Sequence, residues 1–436
     1  MADQPGNGRT IKKCPGKPPE TPVKIRISVF FDGTLNNRKN TELRQAGKGG
    51  RASVWGLKNW YGSYTNDYSN VAKLEWALGE TAPGYDFAQK VYIEGIGTED
   101  GQSDSAIYAG ASRGKGGTGV EAKVKIGLAK VLEKVMEFVS ADVPITYIHL
   151  DSFGFSRGAA AARSFIYKAI SSGPDRLKER LEAKGYAVGE VRMRFVGLFD
   201  TVASLGVNHD DNTAELHLDA VENAEKVVQL AAAEEHRKNF RLTNIKSAGT
   251  NGTQIFLPGV HSDVGGGYVD GEGDEVQIFD IDSTWNSKAQ KAAIERERAW
   301  VIEQGWYGSG ELQKTDFWNE VVGKRESILN TYALIPLHLM AEFAQELGLL
   351  FTTVQAKHPI PPALDSVNGM IKKYVTSTQG ATAHDWFNKV TPELKELRHK
   401  YLHFSASYGS TAGANSPQWA ADDPVNGWRT RVIQNG

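Results

Sequence analysis

A serine hydroxyl attacks a carbonyl only when a general base takes its proton and a carboxylate orients that base. Gly154-Phe155-Ser156-Arg157-Gly158 offers such a serine. G-x-S-x-G recurs by chance in a chain with 46 glycines, so its setting decides its meaning. Residues 145–150 (ITYIHL) read as a strand, and residues 159–170 (AAAARSFIYKAI) read as a helix with an Ala-rich start. Strand, sharp turn and helix form the nucleophile elbow that exposes a serine above a sheet. Gly154 and Gly158 suit it, because side chains there would strike the neighbouring strand and helix. The helix N-terminus would turn free N–H groups towards a developing oxyanion. The plainer alternative is a serine in a glycine-rich loop before a helix.

The acid expected after such a serine is Asp200, just past the apolar residues 191–199 (VRMRFVGLF). An acid there could instead cap a turn. Ten histidines compete for the base. His261, in LPGVHSDVGGGY (257–268), follows a short strand at 254–257 and is framed by glycines, so it is the first choice. His403, in YLHFS (401–405), is the second. His149 reads as a core histidine within its strand, and His338 as packing on an apolar helix face. His209, His217, His236, His358, His384 and His399 lie in polar or helical runs and read as solvated. Asp32-Gly33-Thr34 ends the first strand. Backbone N–H groups of Gly33 and Thr34, with that of Arg157, would complete an oxyanion hole. A β-turn with Asp32 bonding its own backbone explains the same residues equally well.

Two other chemistries compete. Phe31-Asp32-Gly33-Thr34-Leu35 resembles the end of the D-x-D-G-T motif of haloacid-dehalogenase phosphatases, but Phe30 stands where their nucleophilic aspartate would be. Asp32, Asp200, His261 and Asp263 could instead hold a hard or borderline metal ion. The elbow could also merely preserve a fold in a non-catalytic binding module. The serine reading calls for no metal and no cofactor.

The elements that must position these residues alternate between strand and helix. Residues 23–31 (VKIRISVFF) read as a strand entering a buried sheet, 91–96 as a short strand, 120–139 as an amphipathic helix, and 220–240 as a second long helix. Residues 48–85 read as loop and carry several aromatics. The order predicts an α/β fold with a mostly parallel sheet and flanking helices. Residues 1–22 read as a mobile tail, 23–275 as the catalytic core, 276–395 as a helix-rich insertion or cap without clear strands, and 396–436 as a C-terminal segment packing on the core.

Composition narrows the field. With 436 residues, 40% hydrophobic, the chain can bury one large core or two modest ones. A net charge of −2 gives no electrostatic reason to bind nucleic acid. A single cysteine, Cys14, excludes an internal disulfide framework. No stretch has the apolar length of a membrane span, and the N-terminus has no secretory signal, so the expectation is synthesis in the cytoplasm and export without a cleaved signal.

As a set, the motifs FDGTxN (31–36), GFSRGAAAARSF (154–165), FDTVAS (199–204), AAAEEHRKNF (231–240, taken as a helix) and PGVHSDVGGGY (258–268) resemble the α/β-hydrolases of the type VI secretion lipase effectors, family one. YLHFS and NGWR (426–429) resemble that family's last segment. Glu234-Glu235 stands where the family often carries Asp before Glu. The resemblance implies a phospholipase A delivered into the envelope of a rival bacterium, with a delivery partner and a cognate immunity protein. It assigns Ser156 as nucleophile, Asp200 as acid and His261 as base. A lipid enzyme also needs an apolar mouth. The aromatics of 55–76, residues 334–337 and residues 347–351 are candidates, with ordinary packing as the simpler reading. Arg113, Lys115 and Lys123 could meet lipid phosphates, or simply face solvent.

Overall fold

Continuously apolar strands belong in the middle of a parallel sheet, where helices cover both faces. The computed structural model shows this. It describes residues 21–47, 62–104, 116–171, 173–203, 212–279, 288–315, 320–377, 382–386, 389–405 and 431–436. Six parallel strands, β1 (Val23–Phe31), β2 (Phe87–Ile93), β3 (Ile145–Phe155), β4 (Val188–Phe199), β5 (Ala224–Ala232) and a later strand, form the main sheet. A two-residue strand, β6 (Leu242–Thr243), precedes that last one, β7 (Gly252–Leu257). The order is β2-β1-β3-β4-β5-β7, with every neighbouring pair parallel. The expected α/β class with a mostly parallel sheet is therefore the fold observed.

Helices α1 (Arg38–Gln45), α2 (Asn70–Ala77), α3 (Val120–Phe138), α4 (Arg157–Ile166), α5 (Leu177–Glu182) and α6 (His261–Gly265) follow in chain order. On one face, α3 and α4 bury Val124, Leu128, Val131, Ala161 and Phe165 against Ile27, Val29 and Leu150. On the other face, α2 joins the later helix of residues 334–345 over Phe30, Phe153 and Phe195. Gly127 lets α3 lie close, since a Cβ there would sit 2.8 Å from the Phe31 ring.

The region after 273 differs from expectation. It holds an antiparallel sheet, β8 (Asp274–Phe279), β9 (Leu312–Thr315) and β10 (Glu320–Arg325), in the order β8-β10-β9. These strands are short and polar on one side, which hid them among helical runs. Helices α7 (Lys288–Gln304), α8 (Leu334–Gln345), α9 (Val354–Lys357), α10 (Asp365–Ser377) and α11 (Pro392–Tyr401) complete the region. Near the end, β11 (Ile433–Gln434) pairs with β6.

The larger correction concerns 220–240. It is no helix: a short 3-10 turn (Leu218–Asn223) leads into β5. The run VVQLAA reads equally well as helix or buried strand, and tertiary position decides. β5 lies between β4 and β7 with Val227 to Ala232 fully buried on both faces. Residues 231–240 accordingly run from a strand end into a turn. Three smaller differences concern extents: β3 continues to Phe155, β2 begins at Phe87, and the loop expected over 48–85 contains the buried helix α2.

Candidate active site

Parallel strands deliver the ends of consecutive elements to one sheet edge. Ser156, Asp200 and His261 follow β3, β4 and β7 at that edge.

Ser156 joins β3 to α4 at φ 59° and ψ −129°, a conformation that costs free energy unless its surroundings enforce it. They do. Its N–H donates to the Phe199 carbonyl at 3.0 Å, and its carbonyl accepts from Ala159 at 3.0 Å and Val202 at 3.3 Å. A Cβ at Gly154 would lie 2.4 Å from the Gly158 carbonyl oxygen, and one at Gly158 would lie 2.2 Å from that of Asp32. Both glycines are thus required by close backbone approach, and the second brings the end of β1 against the elbow.

That contact fixes which loop adjoins Ser156, a point the sequence left open. Arg157 Nε donates to Thr34 Oγ1 at 2.9 Å, fastening the two segments. Gly33, however, donates its N–H to Asp32 Oδ1 at 2.7 Å. Asp32 also accepts from the hydroxyls of Ser69 and Tyr92. Burial pushes the Asp32 carboxyl above its ordinary pKa, against these hydrogen bonds. The turn in which Asp32 bonds its own backbone is therefore what forms. The Gly33 N–H, expected to face an oxyanion, is engaged within that turn instead.

Asp200 is buried in the left-handed region, φ 44°. Its Oδ1 accepts from the Ala232 N–H at 2.9 Å. Its Oδ2 accepts from His261 Nδ1 at 2.6 Å and from Arg431 Nη2 at 2.9 Å. Burial acts to raise its pKa, but the Arg431 guanidinium and the His261 bond outweigh it, and the carboxyl is held below its ordinary value. Burial lowers the pKa of His261 more than Asp200 raises it. An ionised carboxylate only accepts, so Nδ1 carries the proton and Nε2 is left with its lone pair. The ring lies 4.5 Å from that of Phe155, the residue before Ser156, and 4.8 Å from Phe240.

His403 sits apart from this pair. Its Nδ1 bonds Asp263 Oδ1 at 2.7 Å and its ring stacks on Tyr268 at 3.6 Å. The four groups weighed for a metal are therefore divided: Asp200 with His261, Asp263 with His403, and Asp32 with two hydroxyls. Among the described residues no three His, Cys, Asp or Glu side chains come together to hold an ion.

Several groups around the site were given no role by the sequence reading. Glu235, fully buried, accepts from the His261 N–H and from Arg237. Burial would raise its pKa, yet Arg237 holds it well below the ordinary value. Glu234 binds Arg398 and the Gly259 N–H. The consecutive acids at 234 and 235, directly after an apolar run, were the available signal. Arg431 had none. Among the other expectations, Lys123 is not solvated: it is buried, with its ammonium on Glu94 and the Thr98 carbonyl. His236 is buried as well. Ile335, Leu337, Leu349 and Phe351 pack in the core, which answers the apolar-mouth idea for 334–337 and 347–351. Arg113, Lys115, Trp55, Trp60, Tyr61, His209 and NGWR lie outside the described residues. No described helix is long and apolar enough to cross a membrane.

Residues 167–292 match the family model described as "T6SS, Phospholipase effector Tle1-like, catalytic domain". Asp200 and His261 fall inside that span, and Ser156 lies just before it. Among solved structures, one described as "Structure of the Tle1 effector bound to the VgrG spike from the Type 6 secretion system" aligns at 22% identity, covering 98% of each chain with a TM-score of 0.62. A protein from Pseudomonas aeruginosa described as uncharacterized aligns at 19% identity over 83% of this chain and 52% of its own, with a TM-score of 0.41. No curated protein matches. The resemblance drawn from the motifs is thus borne out: over 167–292 by its sequence, and over nearly the whole chain by its fold, this protein is similar to the Tle1-like effectors.

Proposed function

We propose that the chain is a serine esterase of phospholipase A type, acting through Ser156, His261 and Asp200. The observation that carries this reading is a neutral, buried histidine, held by an ionised aspartate and lying against the residue that precedes a strained, glycine-flanked serine. His261 Nε2 takes the Ser156 proton as the serine oxygen attacks the acyl carbonyl. The N–H groups of Arg157 and Thr34 meet the oxyanion. The imidazolium then protonates the departing lysophospholipid. Water, deprotonated by the same nitrogen, releases the fatty acid and restores the hydroxyl.

The family model and the structural relative, a Tle1 effector bound to a VgrG spike, support delivery of this chain by type VI secretion. Its partners would be the spike protein, a bilayer in the recipient's envelope and an immunity protein in the producer. Incubation with phospholipids labelled separately at each acyl position tests the chemistry. Fatty acid released by the wild type and not by Ser156→Ala supports the reading. Equal release by both would overturn it. The labelled position identifies which ester is cut.

A further inference from the structure

A backbone N–H buried away from water needs an acceptor, and a carboxylate is a strong one. The loop that carries His261 offers three such N–H groups in a row. Gly259 donates to Glu234 Oε2 at 2.8 Å, Val260 to Asp263 Oδ2 at 3.0 Å, and His261 to Glu235 Oε2 at 3.2 Å. Two of these acids also fasten distant segments to the loop. Glu234 binds Arg398 of α11, and Asp263 binds His403.

Glu235 is employed differently. It is gripped by Arg237, two residues on: the Arg237 N–H and Nε each reach Oε1 at 2.9 Å, and a second guanidinium nitrogen, Nη2, reaches Oε2 at 2.8 Å. Ser405 Oγ adds one neutral bond, 3.1 Å from Oε2. The Arg237 guanidinium also lies 3.5 Å from the centroid of the Phe240 ring, and that ring meets the His261 ring edge-on, 4.8 Å between centroids. The pair thus reaches His261 twice, at its main-chain nitrogen directly and at its imidazole through Phe240. Burying a carboxylate and a guanidinium is costly, and an ion pair spanning two residues closes only a local turn.

We propose that the Glu235–Arg237 pair positions His261 for proton transfer, Glu235 by fixing its main chain and Arg237 by steadying the Phe240 ring against its imidazole. The inference rests on the function proposed above, in which His261 is the base. It gives neither residue a part in bond making.

The pair also presents His261 with two opposed charges. After burial and Asp200, Arg237 acts to lower the pKa of the ring and Glu235 to raise it. The other charged groups around the ring are Asp200 after β4, with Arg431 bonded to it, and Asp263 in the same helix, bonded to His403. Removing either member of the pair leaves the other uncompensated, so the two single changes act on the ring in opposite directions. Packing alone predicts no such opposition.

The test follows kcat and KM against pH on p-nitrophenyl butyrate. Arg237→Met removes the cation that opposes the imidazolium, so the acid limb of kcat/KM should move to higher pH, by roughly half a unit or more. Glu235→Gln removes the anion that favours it, so the limb should move to lower pH by a similar amount. In both variants kcat should fall about ten- to a hundredfold with KM within about twofold, since geometry and not binding is disturbed. Arg237→Lys, which keeps the charge, should restore the wild-type limb. Shifts in one direction, unmoved limbs or an unchanged kcat would overturn the proposal. If Glu235→Gln does not fold, the two Arg237 variants decide. A limb raised by Met and restored by Lys supports the pair, and any other pattern removes it. Failure of the underlying function looks different: Ser156→Ala would then hydrolyse the ester as fast as the wild type.

Discussion

Among the described residues, two buried histidine–aspartate pairs have nearly equal geometry, 2.6 Å for His261 with Asp200 and 2.7 Å for His403 with Asp263. Their surroundings differ. Asp263 spends its remaining capacity on backbone: the N–H of Val260 and the N–H of His403 itself. With Tyr268 stacked on the ring, this pair ties the segment after α11 to α6. Asp200 also takes one backbone N–H, but its Oδ2 is shared between an imidazole and a buried guanidinium. That arrangement holds an ionised carboxylate beside a neutral ring, which is what a general base requires. A histidine–aspartate bond by itself therefore identifies nothing. The partners of the carboxylate set the two pairs apart, and they are what favours His261 for the proposed base.

The sharpest way to break the comparison is to remove each ring. His261→Ala should lose about three orders of magnitude or more in turnover while its melting curve stays cooperative. His403→Ala should keep turnover within about tenfold and show its effect as a lower Tm. A dead His403→Ala beside an active His261→Ala would exchange the two roles. Asp200→Asn comes next: the amide cannot hold the tautomer, and kcat should fall by roughly a thousandfold or more. Arg431→Gln should cost less, about ten- to a hundredfold. It should also move the acid limb of the kcat/KM profile to higher pH. Losing the guanidinium raises the pKa of both Asp200 and His261, so the ring is protonated, and idle, at a higher pH than before. An unmoved profile would reduce Arg431 to packing. The smallest effect belongs to Asp263→Asn, expected to lower stability by about 1–2 kcal/mol, read in urea unfolding, with kcat nearly unchanged.

What could be read in advance followed from local physics. The strand–turn–helix at Ser156 was legible because glycine spacing and apolar runs encode it within a short stretch of chain, and β1 and β3 were legible as apolar runs. β5 was not, since VVQLAA has no period that distinguishes a buried strand from a helix, and only its seat between β4 and β7 settles the matter. The same limit hid the three-stranded antiparallel sheet. At the site, Asp32 shows how a motif residue can be correctly located and differently employed: its carboxylate occupies the Gly33 N–H expected to face the oxyanion. Arg431 was invisible for a topological reason. Its partner lies 231 positions away, and no local pattern records so distant a meeting.

That distance has a temporal side. Ribosomes deliver the serine, the acid and the base long before the guanidinium that steadies the acid, and the guanidinium arrives just ahead of a strip, β11, hydrogen-bonded along β6. In a polypeptide interrupted upstream of residue 431, Asp200 would face the apolar interior without the guanidinium that holds its carboxyl ionised. Loss of this strip together with residue 431 would take the guanidinium away from Asp200 while leaving nearly all of the chain's mass in place.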